Sequence, residues 1–353
     1  MNMAPHGPGV FGTGFKTTLT DSAAWAANTA FNLYLDKGTG GRGTLIGHRI
    51  QAVLYYSAAP GSIGFNDQEM RDFKSAIFTN IKAQSTIGPM VTSQASGLAG
   101  GDIDLINRVL LRQAAGGTLD FANGSFAAAA NGVIVVEIPL YHYNANTGMT
   151  HCPDLSYFAN LQVQLNTGIA APSLGGASLT ITTGQIAVWA DYLPDTPGAD
   201  SHLRWDQLSQ SSETDTLPNQ ERIGHLITGN TVTYTSAQDA LYSSGSSSVI
   251  LNASVYQYKI NGRSPFATDG YLNNALPWQE CVRRSRRGGT LLPGADRYGI
   301  EKGLGSYQMI PLAVPDGQTV NDTFLGEVVL QQATNAASGT RVHTTLIIQR
   351  VGR

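Results

Sequence analysis

Short segments with regular apolar and polar positions dominate the chain. Residues 161–166 alternate strictly between apolar and polar side chains, which is the period of a β-strand with one face in a core. Residues 133–140 are almost continuously apolar, which predicts a strand covered on both sides. Further strands are predicted at residues 11–20, 48–56, 179–193, 249–260, 325–330 and 341–351.

The run at residues 179–193 also predicts which side chains enter the core. Ile186, Val188, Ala190 and Tyr192 are spaced two apart and therefore share one face of the predicted strand. Glycine, proline, asparagine and serine clusters separate this run from its neighbours and predict turns. The pattern indicates a protein built mostly of β-strands.

Only four segments have helical spacing, and they do not alternate regularly with the strands. This order disfavours a parallel β-α-β architecture and favours an all-β fold with a few short helices. The predicted helices span residues 67–81, 102–112, 154–160 and 277–287.

A three-residue repeat, Ile-Pro-Leu, suggests that the chain contains two similar β domains. Ile138-Pro139-Leu140 ends an apolar strand in the first half, and Ile310-Pro311-Leu312 does so in the second. We predict a first domain at residues 1–195, with an inserted loop and helices at about 57–132. A linker at 196–220 and a second domain at 221–353 follow.

Composition and charge exclude several classes of protein. Charged residues make up 13% of the chain and the net charge is −3, so the whole chain does not act as a neutraliser of nucleic acid. Hydrophobic residues reach 42%, which is too high for a disordered chain. No apolar run approaches the about 18 residues needed to span a bilayer. The N-terminal residues lack the layout of a signal peptide.

The sequence predicts no catalytic, cofactor or metal site. The glycine-rich residues 38–43 match the G-x-G-x-x-G pattern, but the following segment is predicted to be a strand, so we interpret them as a hairpin loop. Neither a nucleophile elbow nor a zinc-binding His-Glu-x-x-His helix occurs. A glycosidase-like pair of Glu137 with an aspartate stays open, although an outward or ion-paired Glu137 is favoured. Cys152 and Cys281 could pair with each other, but two buried free thiols are favoured.

One dense charge cluster remains, formed by Arg283, Arg284, Arg286 and Arg287. Contact with a phosphate, a nucleic acid or a lipid headgroup would be a functional interpretation. The favoured interpretation is structural, either a helix C-terminus or an ion-paired contact between subunits.

The order of elements resembles the major capsid proteins of tailless, membrane-containing icosahedral phages of the tectivirus type. The resemblance rests on Leu54-Tyr55-Tyr56, the strand with Pro139, the residues 154–166, and Asp191-Tyr192-Leu193-Pro194. In the second half it rests on Trp278, the arginine cluster, Pro293-Gly294 and Tyr298. A longer N-terminal arm of the phage proteins has no counterpart here, which puts in doubt a helix touching an inner membrane.

This resemblance implies a tandem double jelly roll, two antiparallel β-sandwiches of about eight strands each. It further implies a structural protein without catalysis or cofactor, whose homotrimers form pseudo-hexagonal capsomers of an icosahedral virion. The implied partners are the chain itself, neighbouring capsomers, and minor capsid and vertex proteins. An internal membrane stays open, and specific nucleic-acid recognition is not expected. The implied location is the capsid shell of a virion, after synthesis in the host cytoplasm.

A second function class fits the same composition. Glycine-rich β sequence and frequent tyrosines also occur in carbohydrate- or receptor-binding β proteins, such as a phage adhesin or a lectin-like module. Such a module would bind glycans through exposed tyrosines.

Overall fold

The structure is a computed structural model in which seventeen segments of the chain are described. They are residues 14, 16–58, 61–65, 67–85, 88–93, 97–107, 124–128, 131–143, 148–158, 160–210, 214–217, 221–228, 255–260, 307–310, 320–321, 328–334 and 341–350.

Twenty strands, two α-helices and one 3-10 turn occur in these segments. The strands are β1 (Lys16–Ala24), β2 (Ala30–Tyr34), β3 (Thr44–Ser57), β4 (Gly61–Phe65), β5 (Phe78–Ser85), β6 (Gly88–Ser93), β7 (Gly124–Ala128), β8 (Asn131–Tyr141), β9 (Gln162–Thr167), β10 (Ser173–Leu174), β11 (Ala177–Ser178), β12 (Thr180–Leu193), β13 (Ser201–Gln210), β14 (Thr214–Leu217), β15 (Glu221–Thr228), β16 (Val255–Ile260), β17 (Tyr307–Ile310), β18 (Val320–Asn321), β19 (Val328–Thr334) and β20 (Arg341–Arg350). The helices are α1 (Asp67–Ile77) and α2 (Gly100–Ile106), and the 3-10 turn is Leu155–Tyr157.

The first half of the chain has the strand order of a jelly roll. One sheet runs β1-β12-β3-β8, and a second set of neighbours runs β2-β9-β5-β6. Apart from the hairpin β5-β6, the successive strands of these two sets alternate between the two sheets, and all pairs within each sheet are antiparallel. This wiring is that of a jelly-roll sandwich.

The second half repeats the same wiring. Strands β13, β20, β15 and β17 are neighbours in the order that β1, β12, β3 and β8 follow, and β14-β19-β16 forms the other sheet. Strand β6 of the first roll pairs in parallel with β13 of the second, so that Val91 faces Trp205. With β18 against β15, this pairing makes one nine-stranded sheet across both rolls. The chain is therefore all-β, with two jelly rolls in tandem.

The isoleucines of the three-residue repeat fall on equivalent strands of the two rolls, whereas Pro311 and Leu312 lie outside the described residues. Ile138 lies near the end of β8 and Ile310 is the last residue of β17, and both strands end the order of their sheets. Because proline donates no backbone hydrogen bond, an edge strand such as β8 tolerates Pro139 where a central strand would not.

The core of the first roll lies between its two sheets. Ile186, Val188, Ala190 and Tyr192 are all buried on one face of β12, as the sequence predicts. The prediction for residues 133–140 is wrong in part, because β8 alternates at its start and is enclosed on both faces only at residues 138–140. Val133 is 52% exposed, because none of the described residues covers that end of the outer face.

Two of the predicted helices are shorter than their periodicity suggests. Helix α1 buries Met70, Phe73 and Ile77, but it ends at Ile77 and not at residue 81. Residues 78–85 instead pair with β9, whose interstrand hydrogen bonds outweigh helical propensity here. The predicted helix at 154–160 is a single 3-10 turn capped by Asp154, which accepts a hydrogen bond from the Ser156 amide at 2.9 Å.

Helix α2 confirms the start of the helix predicted at 102–112, while residues 108–112 lie outside the described segments. A buried ion pair joins it to α1, with Lys74 Nζ 2.8 Å from Asp104 Oδ1. The helix predicted at 277–287 also lies outside the described residues.

Residues 196–220 and 57–132 contain more regular structure than the sequence predicts. The predicted linker holds the ten-residue strand β13, which pairs along its whole length with β20. The predicted inserted loop holds β5 and β6, which are central strands of the shared sheet. Both segments are fixed by partners far away in sequence. The division into domains at 1–195 and 221–353 stays a prediction.

The glycine-rich residues 38–43 form a loop and precede a strand, so they do not have the strand-loop-helix context of a phosphate site. The expected hairpin is wrong, however. Strands β2 and β3 belong to different sheets, and the loop connects the two layers of the sandwich. Gly38, Gly40, Gly41 and Gly43 all have positive φ, which explains the glycine density.

Candidate assembly surface on the outer sheet face

The sheet β1-β12-β3-β8 turns one face toward the core and leaves the other face uncovered by the described chain. We call the second face the outer face. Strand pairing places Leu19, Trp189, Arg49 and Pro139 in one row across it. The next rows are Thr17, Asp191, Gly47 and Tyr141 on one side, and Ser22, Ala187, Gln51 and Glu137 on the other.

Asp191 is the centre of a polar network on the outer face. Its carboxylate accepts two hydrogen bonds from the Arg49 guanidinium, at 2.8 Å from Nε and 3.1 Å from Nη2. It also accepts hydrogen bonds from Tyr141 Oη at 2.9 Å and from Thr17 Oγ1 at 2.6 Å. Strands β1, β12, β3 and β8 each contribute one of these residues, so the network ties the whole sheet together. The Asp191 side chain is fully buried.

Tyr141 reaches Asp191 across the intervening strand because position 47 is glycine. A methyl group built on Gly47 would overlap the Tyr141 ring and the Leu140 carbonyl. Burial, and then the Asp191 carboxylate, raise the pKa of Tyr141 well above its ordinary value. Burial therefore favours the protonated Tyr141, which donates its hydroxyl hydrogen to Asp191.

Glu137 stands at the border of this network. Arg49 Nη1 lies 3.8 Å from Glu137 Oε2, and Gln51 Nε2 donates a hydrogen bond to the same oxygen at 3.4 Å. Burial raises the pKa of Glu137, and Arg49 opposes that shift. The structure thus brings Glu137 and Asp191 to opposite sides of one guanidinium. Four donors occupy the Asp191 carboxylate, so it is not available as a nucleophile.

Large apolar side chains occupy other parts of the outer face: Leu19 lies in the row next to Asp191, and the paired Tyr55 and Val133 lie toward the far end of β3 and β8. Leu19, Tyr55 and Val133 are 46%, 49% and 52% exposed, which is high for large apolar residues. Trp189 lies under the Arg49 guanidinium, whose carbon is 6.0 Å from the ring centroid. A satisfied polar centre with half-exposed aliphatic and aromatic neighbours is typical of a surface that binds another protein surface.

Of the cysteines and arginines that the sequence singles out, the structure describes only Cys152. Cys152 is buried as a free thiol, whereas Cys281 lies outside the described residues. Arg283, Arg284, Arg286 and Arg287 lie outside them as well. Across the described segments, no three His, Cys, Asp or Glu side chains are grouped so as to hold a metal ion. Helices there are all too short or too polar to cross a membrane.

Sequence reasoning missed Arg49 and Asp191. A signal was available, because each is a charged residue in the middle of an apolar strand in a chain with only 13% charged residues. Both residues also lie on the face of their strand that is opposite to the core-facing residues. What the sequence does not show is that they lie on adjacent strands.

Comparison with known proteins adds structures but no sequence relatives. No protein-family model matches the chain, and no curated protein matches it. A crystal structure of the STIV major capsid protein has a TM-score of 0.57 at 10% identity, covering 96% of this chain and 97% of that chain. A chain in the atomic structure of Sulfolobus turreted icosahedral virus has a TM-score of 0.58 at 11% identity, covering 96% and 91%.

A third similar structure is the major capsid protein P2 of bacteriophage PM2, with a TM-score of 0.46 at 10% identity and coverage of 96% and 98%. The first two structures match this chain over nearly its full length. Their likeness agrees with the strand order, and the chain has the double jelly-roll fold of viral major capsid proteins.

Proposed function

We propose that this chain is a viral major capsid protein, whose homotrimers form pseudo-hexagonal capsomers of an icosahedral shell. The observation that carries this proposal is the tandem of two jelly rolls with the same wiring, joined by the β6–β13 pairing. The whole-length likeness to the STIV major capsid protein supports it. In this proposal the protein is located in the virion and is made in the host cytoplasm.

The junction within the chain suggests how chains meet. The first roll contributes its β2-β9-β5-β6 sheet to the junction, and the second roll contributes its β13-β20-β15-β17 sheet. The other two sheets take no part in this junction. They are the β1-β12-β3-β8 sheet of the first roll, which carries the outer face, and the β14-β19-β16 sheet of the second roll. The junction is an edge-to-edge pairing of β6 with β13 and does not use the outer face. We propose that each chain uses its outer face to contact the second roll of the next. Head-to-tail contacts of this kind close into a ring when the rotation between neighbours divides a full turn evenly.

Three copies close such a ring with six similar rolls, and this explains a nearly hexagonal outline. The half-exposed Leu19, Tyr55 and Val133 supply apolar contact area. The hydrogen bonds within the Asp191 network supply a flat polar centre that needs no partner charge. The low charge content of the chain also suits large permanent interfaces.

We propose a structural role without catalysis. Asp191 is occupied by four donors, so the Glu137–Asp191 pair lacks the free carboxylate that a glycosidase nucleophile requires. Partners in this proposal are neighbouring capsomers and minor capsid and vertex proteins. We propose further that the arginine cluster at residues 283–287 contacts another subunit.

Native mass spectrometry of the purified chain tests the proposal. We expect a mass of about three times the 37.4 kDa chain, and a hexagonal outline in negative-stain images. Tyr55→Lys combined with Val133→Lys places two lysines on directly paired positions of the outer face, and we expect a folded monomer. Ile169→Lys is the matched control, because Ile169 is 55% exposed but lies off this sheet, and it should leave the trimer intact.

A wild-type chain that stays monomeric at micromolar concentration would contradict the capsomer proposal. If the double lysine variant still forms a trimer, the trimer proposal stands but the outer face is excluded as the interface. Binding to a glycan array that is lost in Tyr55→Ser would instead favour the carbohydrate-binding alternative.

A further inference from the structure

Four histidines lie buried where the first roll meets β13 of the second. We call them the histidine cluster: His48 on β3, His142 directly after β8, His151 in the turn before the 3-10 turn, and His202 on β13. All four belong to the buried residues, which is unusual for a side chain that titrates near neutral pH. The outer face described above does not include them.

Two of these histidines bind β13 directly. His142 Nδ1 accepts a hydrogen bond from the backbone amide of Leu203 at 3.1 Å. His151 Nδ1 lies within hydrogen-bond distance, 3.1 Å, of Ser201 Oγ. Both bonds connect a residue of the first roll to a residue of the second, and both are buried.

The Leu203 bond fixes the protonation state of His142. Because Nδ1 accepts a hydrogen bond from an amide, the proton of the neutral ring sits on Nε2. Nε2 is buried and has no hydrogen-bond partner among the described residues. Taking up a second proton would place it on Nδ1, facing the Leu203 N–H, so the charged ring and this bond exclude each other.

The surroundings of His142 also disfavour a positive charge. Its ring stacks on Phe158 at 6.2 Å between centroids, and it lies 5.8 Å from Trp205 and 6.1 Å from His202. Burial, and then His202, His48 and His151, lower the pKa of His142 well below its ordinary value.

Burial acts in the same direction on His202 and His48. Burial, with a smaller contribution from Arg204, lowers the pKa of His202 to about 4, against the opposing effect of the Pro89 carbonyl. Arg204 is itself paired with Asp206 at 2.9 Å. Burial lowers the pKa of His48 to about 4, against the hydrogen bond with the Leu35 carbonyl at 3.0 Å.

We propose that the histidine cluster is an acid-sensitive junction: protonation of His142 and His202 breaks the Leu203 bond and releases β13 from the first roll. This inference does not depend on the capsid proposal, because it concerns a contact within one chain. It assigns to the junction a regulatory role, in which the two rolls are coupled at neutral pH and uncoupled in acid.

The sign and steepness of the effect follow from linkage. We call the release of β13 from the first roll opening, and the state before it the closed state. A histidine whose pKa is lowered in the closed state stabilises that state fully above the ordinary histidine pKa of about 6.5. This stability is lost as the pH falls toward about 4. Each histidine protonated on opening adds about a factor of ten per pH unit to the opening constant within this window. For His142 and His202 together, we expect about a hundredfold per pH unit.

Hydrogen exchange followed by mass spectrometry tests the proposal on the full-length protein. Peptides covering β13 report the Leu203 amide, and peptides covering β12 report a strand within the first roll alone. After correction for the pH dependence of intrinsic exchange, β13 should lose protection by about a hundredfold per pH unit between pH 6 and 5, while β12 changes little.

Two variants separate the cluster from general acid effects. His142→Asn keeps an oxygen acceptor near the position of Nδ1 but cannot titrate, so the pH dependence of β13 should fall to about tenfold per unit. His225→Asn removes a histidine on β15, two strands away from β13, and should leave the wild-type slope. Equal protection of β13 at pH 6 and 5 in the wild type would overturn the proposal even if His142→Asn fails to fold. An unchanged slope in a folded His142→Asn would overturn it too.

Discussion

Arg49→Met tests whether charge holds the outer face together. Methionine keeps an unbranched apolar stem against Trp189 but removes the guanidinium. Asp191 then loses two of its four hydrogen-bond donors while its side chain stays fully buried. The perturbation is therefore a buried carboxylate left without its positive partner.

The magnitude follows from this geometry. Removing one partner of a buried ion pair costs about 3–5 kcal/mol. The Arg49 side chain is 21% exposed, and Tyr141 and Thr17 continue to donate to Asp191, so the lower end applies. We expect a loss of about 3 kcal/mol in the free energy of unfolding, and a melting temperature lower by roughly 6 °C.

Calorimetry at pH 7 on a double-mutant cycle measures this coupling. The cycle combines Arg49→Met with Asp191→Asn, and we expect a coupling energy of about 2 kcal/mol between the two sites. Lys37→Met is the control, because Lys37 is an exposed cation outside the network, and it should change stability by less than about 0.5 kcal/mol. A coupling below about 0.5 kcal/mol would refute the reasoning, since the pair would then contribute no more than an exposed ion pair.

Two further substitutions test the packing of the first roll by urea denaturation. Gly47→Ala forces a methyl group against the Tyr141 ring and should lower the free energy of unfolding by about 2 kcal/mol. Gly61→Ala is the control and should be close to neutral, because a methyl group there meets no atom within 4 Å. Equal effects of the two substitutions would contradict the crowding at Gly47. Lys74→Met removes the buried ammonium that pairs with Asp104 and should cost about 3 kcal/mol, against less than about 1 kcal/mol for the partly exposed Lys82→Met. A loss equal to that of the control would argue against the ion pair.

Much of the fold follows from local pattern. The alternation in β9 and β12 depends only on which side chains avoid water, so it can be found without knowing the partner strands. The same holds for the buried face of α1, whose apolar residues recur at helical spacing. The Ile-Pro-Leu repeat is also local, its isoleucines lie on β8 and β17, and it pointed to two similar domains.

Local pattern failed where a distant partner decides the conformation. Residues 78–85 continue the helical pattern of α1 but form a strand, because β9 offers a complete set of hydrogen-bond partners. In β13, Leu203 and Trp205 alternate with charged residues over too short a stretch to stand out from a polar linker. Pairing with β20, more than a hundred residues later, makes this segment a strand.

The sequence by itself therefore determined the class of the elements, most core faces and the tandem organisation, because these depend on neighbours two to four residues apart. The tertiary structure alone decided the sites. Arg49 meets Asp191 across 142 residues, and His142 meets Leu203 across 61 residues. Such contacts depend on strand order and register, and a shift of one residue would turn each side chain to the opposite face of its sheet.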